Sequence, residues 1–306
     1  MMLLNSRTHV RRSNLFLGAI AVGLVGMAAG AAQGADFHGS GAVITNRPCG
    51  VSPDACVVGA TRLQPHQYFG GYGQGLSASA SLVGGASGSA DVSFGEDYLP
   101  VVRLASAAGA ETRTGASATA FRSFTYQGDV AIDFALAGDL HFFTSGDVAG
   151  PQGANEFAGD GQLNVALSLL TVDAITSVFS TDSTGVDIIS NIGTSFGECG
   201  AAGVLAVGGF NSAGMGAGEY NQTVGVSEAC GGGAIRLNPG DSFVVVATIQ
   251  SISNRSGFID ASHTFRVRYD EENTFFAGTT ESVGESFMSR NVAVGAAVPE
   301  PATWAL

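Results

Sequence analysis

The residues in this chain best suited by type and spacing to covalent chemistry are Gly193-Thr194-Ser195-Phe196-Gly197, followed by Asp241 and His263. Gly-x-Ser-x-Gly can set a serine on a sharp strand-to-helix turn, and Ser, Asp, His is one chain order in which nucleophile, orienting acid and base occur. Ser195 would attack, His263 would take its proton, and Asp241 would hold the imidazole. Val186 to Ile192 reads as a strand ahead of the motif. The continuation Phe196-Gly197-Glu198-Cys199-Gly200 is a poor helix start, however, and a chain with 45 glycines meets the pattern readily by chance. His263 falls on the polar side of an alternating run, and Asp241 completes a turn. The expectation is that the chain is not an enzyme, with a secreted hydrolase using Ser195 as the last alternative.

Two other clusters could hold ligands. Asp270-Glu271-Glu272-Asn273 offers hard oxygens of the kind calcium prefers. The plainer reading of such a run is a solvated hairpin tip, so calcium is an option and no cofactor is required. Tyr68, Phe69 and Tyr72, among glycines, could form a small aromatic patch for a sugar face. The plainer reading there is packing under a loop. The only tryptophan is Trp304, so a tryptophan platform is absent.

Composition narrows the partners. The chain contains no lysine, and three of its thirteen arginines lie within the first twelve residues, a stretch without acids. Beyond that stretch ten arginines face 26 acids, a net charge of −16. Nucleic-acid binding rests on cationic contacts to phosphate, so no nucleic-acid partner is expected. Four cysteines, an even number, read as two disulfides if the chain is exported, as its two ends are read below, and sequence alone allows three pairings. The local pairing is favoured: Cys49 with Cys56 around Pro53-Asp54, and Cys199 with Cys230 across a glycine-rich segment. Zinc ligand pairs sit two to four residues apart, and no such cysteine pair exists here.

The elements that would position these residues read as strands. Leu76 to Leu82 and Ala116 to Tyr126 alternate small or polar with apolar residues, the period of a half-buried strand. Asp129 to Phe143 continues the rhythm, with Gly138-Asp139 expected as a bulge or turn. Gln162 to Phe179 is a longer apolar stretch, read as strand with helix as the alternative. Pro239-Gly240 suits a type II turn leading into the Val-rich strand Phe243 to Ile249. Phe265, Val267 and Tyr269 should share one face, with Arg266 and Arg268 on the other. Gly84 to Ala90 is expected as a linker or loop, and Gly193 to Gly233 as a long excursion between strands. The expected fold is all-β: an antiparallel β-sandwich, jelly-roll-like, in a single domain with Gly-rich loops.

The two ends describe a route. Arg7, Arg11 and Arg12 precede an apolar run from Leu15 to Ala29 and the small residues Ala32-Gln33-Gly34, the plan of a secretory signal peptide. Ordinary Sec export with cleavage after Gly34 is expected. At the other end stand Val298, Pro299, Glu300, Pro301, Ala302, Thr303 and Trp304. This segment resembles the opening of the PEP-CTERM sorting signal of Gram-negative bacteria, which continues into a membrane helix and a basic tail and is processed by an exosortase. A spanning helix needs about 20 apolar residues, and the sequence stops at Leu306, so the expectation is a truncated signal. The division expected is 1–34 signal peptide, 35–295 β-sandwich, and 296–306 start of the sorting signal. The resemblance implies an exported protein, transiently held in the inner membrane if the full tag exists and then at the cell surface or in the extracellular matrix or biofilm. It also implies an exosortase as processing partner and an association with exopolysaccharide. A non-catalytic surface protein is the function expected, with a carbohydrate- or calcium-binding module as the alternative.

Overall fold

The computed structural model describes residues 38–48, 61–63, 66–67, 76–81, 85–95, 97–110, 112–146, 159–174 and 198–294. The expected signal peptide, Cys49 and Cys56, Tyr68, Phe69 and Tyr72, Ser195 and the expected sorting motif lie outside them.

Among the described residues, three antiparallel sheets carry the fold. In the first, β11 (Val204–Asn211), β10 (Gly161–Leu170), β14 (Ser242–Asn254), β7 (Thr112–Tyr126), β1 (His38–Pro48) and β2 (Thr61–Leu63) lie side by side, with β3 (His66–Gln67) on β1 and β17 (Val292–Val294) on β7. The second runs β12 (Gly218–Val226), β9 (Leu136–Thr144), β15 (Phe258–Tyr269), β6 (Pro100–Ala107), β5 (Ser87–Phe94) and β4 (Leu76–Ser81). A small third sheet joins β13 (Ile235–Leu237), β8 (Ile132–Phe134) and β16 (Phe275–Phe276). The two large sheets form an antiparallel sandwich, as the strand periods predict. Among the described residues no helix is long and apolar enough to cross a membrane.

Period two decides which side chains meet between the sheets. On β7, Ala116, Ala118, Ala120, Phe124 and Tyr126 face the core; on β14, Phe243, Val245, Ala247 and Ile249 do the same. The intervening Val244 and Val246 are also buried, packing with Phe121 and Leu170 on the opposite face of the first sheet. That double burial is why Phe243 to Ile249 reads as a continuous apolar run rather than an alternation. Burying one such phenylalanine stabilises by about 1.5–3 kcal/mol. Phe124 and Phe243 stack at 5.7 Å, Phe134 lies 5.4 Å from Phe243, and Tyr269 lies 6.2 Å from Phe134, so the rings of all three sheets meet in one cluster. Burial there raises the Tyr269 phenol's pKa far above its ordinary value. Where the core strands carry serines, their hydroxyls pair with one another: Ser251 Oγ donates to Ser106 Oγ at 2.8 Å, and Ser253 Oγ donates to the Ser106 carbonyl at 3.1 Å.

Several expectations are corrected. Gly138 is neither bulge nor turn; it sits in register inside β9, opposite Val224 and Val267. The break falls at Ala135 instead, where the chain leaves the third sheet for the second, tied by Ala135 N–H to Thr274 Oγ1 and by Asp270 N–H to the Ala135 carbonyl. Ser87 to Ala90 belongs to β5 rather than to a linker. Small residues are required there, since a Cβ on Gly88 would lie 2.7 Å from the Ile44 side chain. The apolar stretch from Gln162 is strand to Leu170 and then a helical turn at 172–174. The glycine-dense segment after residue 198 is not an excursion, because it contains β11 and β12, the edge strands of the two large sheets. A Cβ on Gly208 would meet the Gly225 carbonyl at 2.1 Å, so the glycine at 208 allows these edges to approach closely.

Other expectations stand. Gly240 has φ +89°, and Asp241 N–H reaches the Asn238 carbonyl at 3.0 Å, closing the Pro239-Gly240 turn. Cys199 and Cys230 form a disulfide, with Cα atoms 5.2 Å apart, joining the approach to β11 with the exit of β12.

Candidate functional site

The exposed face of the second sheet carries an open groove of about 510 Å³ lined by Asp139, Leu140 and His141 of β9, Asn221, Gln222 and Thr223 of β12, and His263, Thr264 and Arg266 of β15. Three adjacent strands therefore build it. Alternation on β9 turns Leu140 and Phe142 inward and leaves Asp139, His141 and Phe143 on the outer face.

Strand β15 departs from regularity at the groove. Between Asp260 and Phe265 it holds four residues where β9 holds two, and between Ala261 and Phe265 it holds three where β6 holds one. Bulges of this kind re-aim side chains. Here Ser262 and His263 are both exposed in succession, whereas Arg266 and Arg268 beyond the bulge alternate regularly with buried Phe265, Val267 and Tyr269. Thr264 has φ +125°, a region that a β-branched residue rarely adopts and that costs about 1–3 kcal/mol. Its hydroxyl accepts from Arg103 Nε at 3.2 Å, and Arg103 Nη1 pairs with Asp91 Oδ1 at 3.0 Å.

That strain gives a first prediction. Thr264→Val keeps the branched side chain and removes the acceptor, whereas Thr264→Gly removes the strain. The valine variant should therefore be the less stable of the two, by about 1 kcal/mol, reversing the usual strand preference for valine over glycine. Thermal melts of the two variants check this; a more stable valine variant would mean the backbone is relaxed there.

The groove's charges are partly matched. Arg268 Nε donates to Asp139 Oδ2 at 3.0 Å, and Thr223 Oγ1 donates to Asp139 Oδ1 at 3.3 Å. The hydrogen bond to Asp139 raises the Arg268 pKa further above its ordinary value. His141 Nε2 donates to Glu219 Oε1 at 2.7 Å. The imidazole of His263 lies 5.0 Å from that of His141 and 5.7 Å from the Phe143 ring, and His141 lies 5.2 Å from Phe143, a triangle of rings of which the two imidazoles line the groove. Among the described residues, Arg266 has no acid partner and His263 no hydrogen bond.

The sequence-derived candidates fall in separate places. Asp241 accepts from Asn238 N–H at 2.8 Å and from Asn238 Nδ2 at 3.1 Å, closing its own turn. His263 stands in the groove instead, and among the described residues no hydrogen bond joins the two. In the acidic run, Asp270 caps the turn Glu271–Asn273 by accepting from Asn273 N–H and Nδ2. Glu271 Oε2 accepts from Ser286 N–H at 2.7 Å. Those carboxylates serve the backbone, and among the described residues no three His, Cys, Asp or Glu side chains converge for a metal ion. His141, Asn221 and Arg266 escape sequence reasoning because they are far apart in the chain. The outward positions of β9 and β15 were the available signal.

Comparison of the chain with family models, with curated proteins and with solved structures gives no match.

Proposed function

We propose that this chain is an exported, non-catalytic β-sandwich protein, sorted by a PEP-CTERM/exosortase-type system to the cell surface or matrix. The observation that carries this reading is the segment Val298 to Trp304, supported at the other end by the Arg7 to Gly34 leader. The Cys199–Cys230 bridge is in keeping with an oxidising compartment. Sec machinery and an exosortase are then the partners of its biogenesis, and exopolysaccharide the material around it. A non-catalytic role is supported by Asp241 serving its own turn and His263 lying among rings.

The test is fractionation of the protein made from its complete gene in a bacterium with and without its exosortase. With the enzyme, the protein should leave the inner membrane, start near Ala35 and lack the tag. Without the enzyme, or after Pro299→Ala with Glu300→Ala, it should stay unprocessed. Equal mass and location in all cases would remove the sorting reading. A second reading, a carbohydrate-binding module on the same fold, is favoured by the groove on β9, β12 and β15.

A further inference from the structure

We infer that the groove across β9, β12 and β15 binds a neutral saccharide, through Asn221, Thr223, His263 and Arg266, with the His141 and His263 rings as its aromatic wall. The first argument is the mixture of groups. A sugar hydroxyl both donates and accepts, so its site needs donors and acceptors together. The lining supplies the Asn221 carboxamide, the hydroxyls of Thr223 and Thr264, two imidazoles, a guanidinium and the Asp139 carboxylate. A cation site would call for acceptors alone and an anion site for donors alone.

Charge separates the remaining ligand classes. Asp139 is offset by Arg268 and Glu219 pairs with His141, so Arg266 is the lining cation without an acid partner among the described residues. One free guanidinium is a directional donor pair, not a polyanion track. The rest of the chain, at −16 without its leader, repels acidic polymers at long range. A neutral ligand escapes that repulsion and still gains the charge-assisted hydrogen bond.

Shape agrees. The volume lies in the range that houses small-molecule ligands. Three strands at about 4.8 Å spacing give about 10 Å of polar floor. The neighbouring His141 and His263 rings offer a flat aromatic face to the C–H face of a pyranose. The strained bulge at Ser262 to Thr264 is the element that brings His263 out toward His141, and backbone strain held by a dedicated side chain, here Arg103, is a mark of sites.

This deepens the second reading above and is independent of sorting, because binding is measured on the purified, bridge-containing protein. Affinity gels and calorimetry with dextran, xylan, galactomannan and mixed-linkage β-glucan, against alginate and polygalacturonate, form the test. At least one neutral glycan should bind. Asn221→Ala and Arg266→Met should each weaken it about tenfold or more, the loss of one good or charge-assisted hydrogen bond. Both positions are exposed, so melting temperatures should not move. Binding by none of the neutral glycans, tighter binding of the acidic ones, or binding that both variants retain would overturn the assignment. A chain that is sorted but binds nothing would remove this inference alone, and one that binds but is not sorted would remove the sorting reading alone.

Discussion

Replacing Gly138 with alanine should destabilise the protein by about 3 kcal/mol, the upper part of the range for overpacking a core. At a strand position with room for a Cβ this change would help by about 0.5–1 kcal/mol, because alanine loses less backbone freedom on folding. Here a Cβ would sit 2.3 Å from Cε2 and 2.5 Å from Cζ of Phe265. Phe265 is fully buried, between strands whose register is fixed on both sides, so its ring has no solvent into which to swing. For a domain of this size the melting temperature should fall by about 10 °C. Combining Gly138→Ala with Phe265→Leu should cost less than the sum of the two single changes, because the smaller side chain vacates the space the new methyl needs. A Gly138→Ala protein as stable as the parent would show that the ring does not lie over this glycine.

The same position shows what the sequence discloses and what it hides. Strands β7, β14 and β15 are legible because their periodicity is local: Phe265, Val267 and Tyr269 must share a face whatever they pack against. Gly138 is not legible, because a glycine inside an alternating run carries the same signal as a bulge, and its reason lies in a ring 127 positions later. Gly208 and Gly225 are hidden similarly. Each looks like one more glycine in a loose segment, and only the approach of the Gly225 carbonyl across the sandwich explains the glycine at 208. The groove is the hardest case. His263 is readable as exposed and polar, and it invites pairing with Ser195 and Asp241 because the chain order fits a catalytic triad. What actually surrounds it, His141 and Phe143 on the neighbouring strand, follows from the β9–β15 pairing and the two extra residues of the bulge. No local pattern announces either.

Removing the bridge, as Cys199→Ala with Cys230→Ala, should cost about 3–4 kcal/mol and lower the melting temperature by about 10 °C. The double change avoids leaving a stray thiol to pair with Cys49 or Cys56. The magnitude follows from the loop of 31 positions that the bridge closes, whose freedom in the unfolded chain returns when it is absent. The folded state adds a local reason. The bridge ties the approach to β11, the edge of the first large sheet, to the exit of β12, the edge of the second, and Cys230 N–H donates to the Leu205 carbonyl at 2.8 Å beside it. Without it both edges should fray together, which hydrogen exchange at residues 204–211 and 218–226 would register as lost protection. Reductant should lower the parent protein's melting curve at least as far as that of the variant, and the fully reduced parent and fully reduced variant should coincide. Coincident curves for the untreated parent and the variant would mean that the glycine-rich segment is ordered without its staple. The expected gap would instead make part of the stability of this sandwich depend on an oxidising compartment, in keeping with the export proposed above.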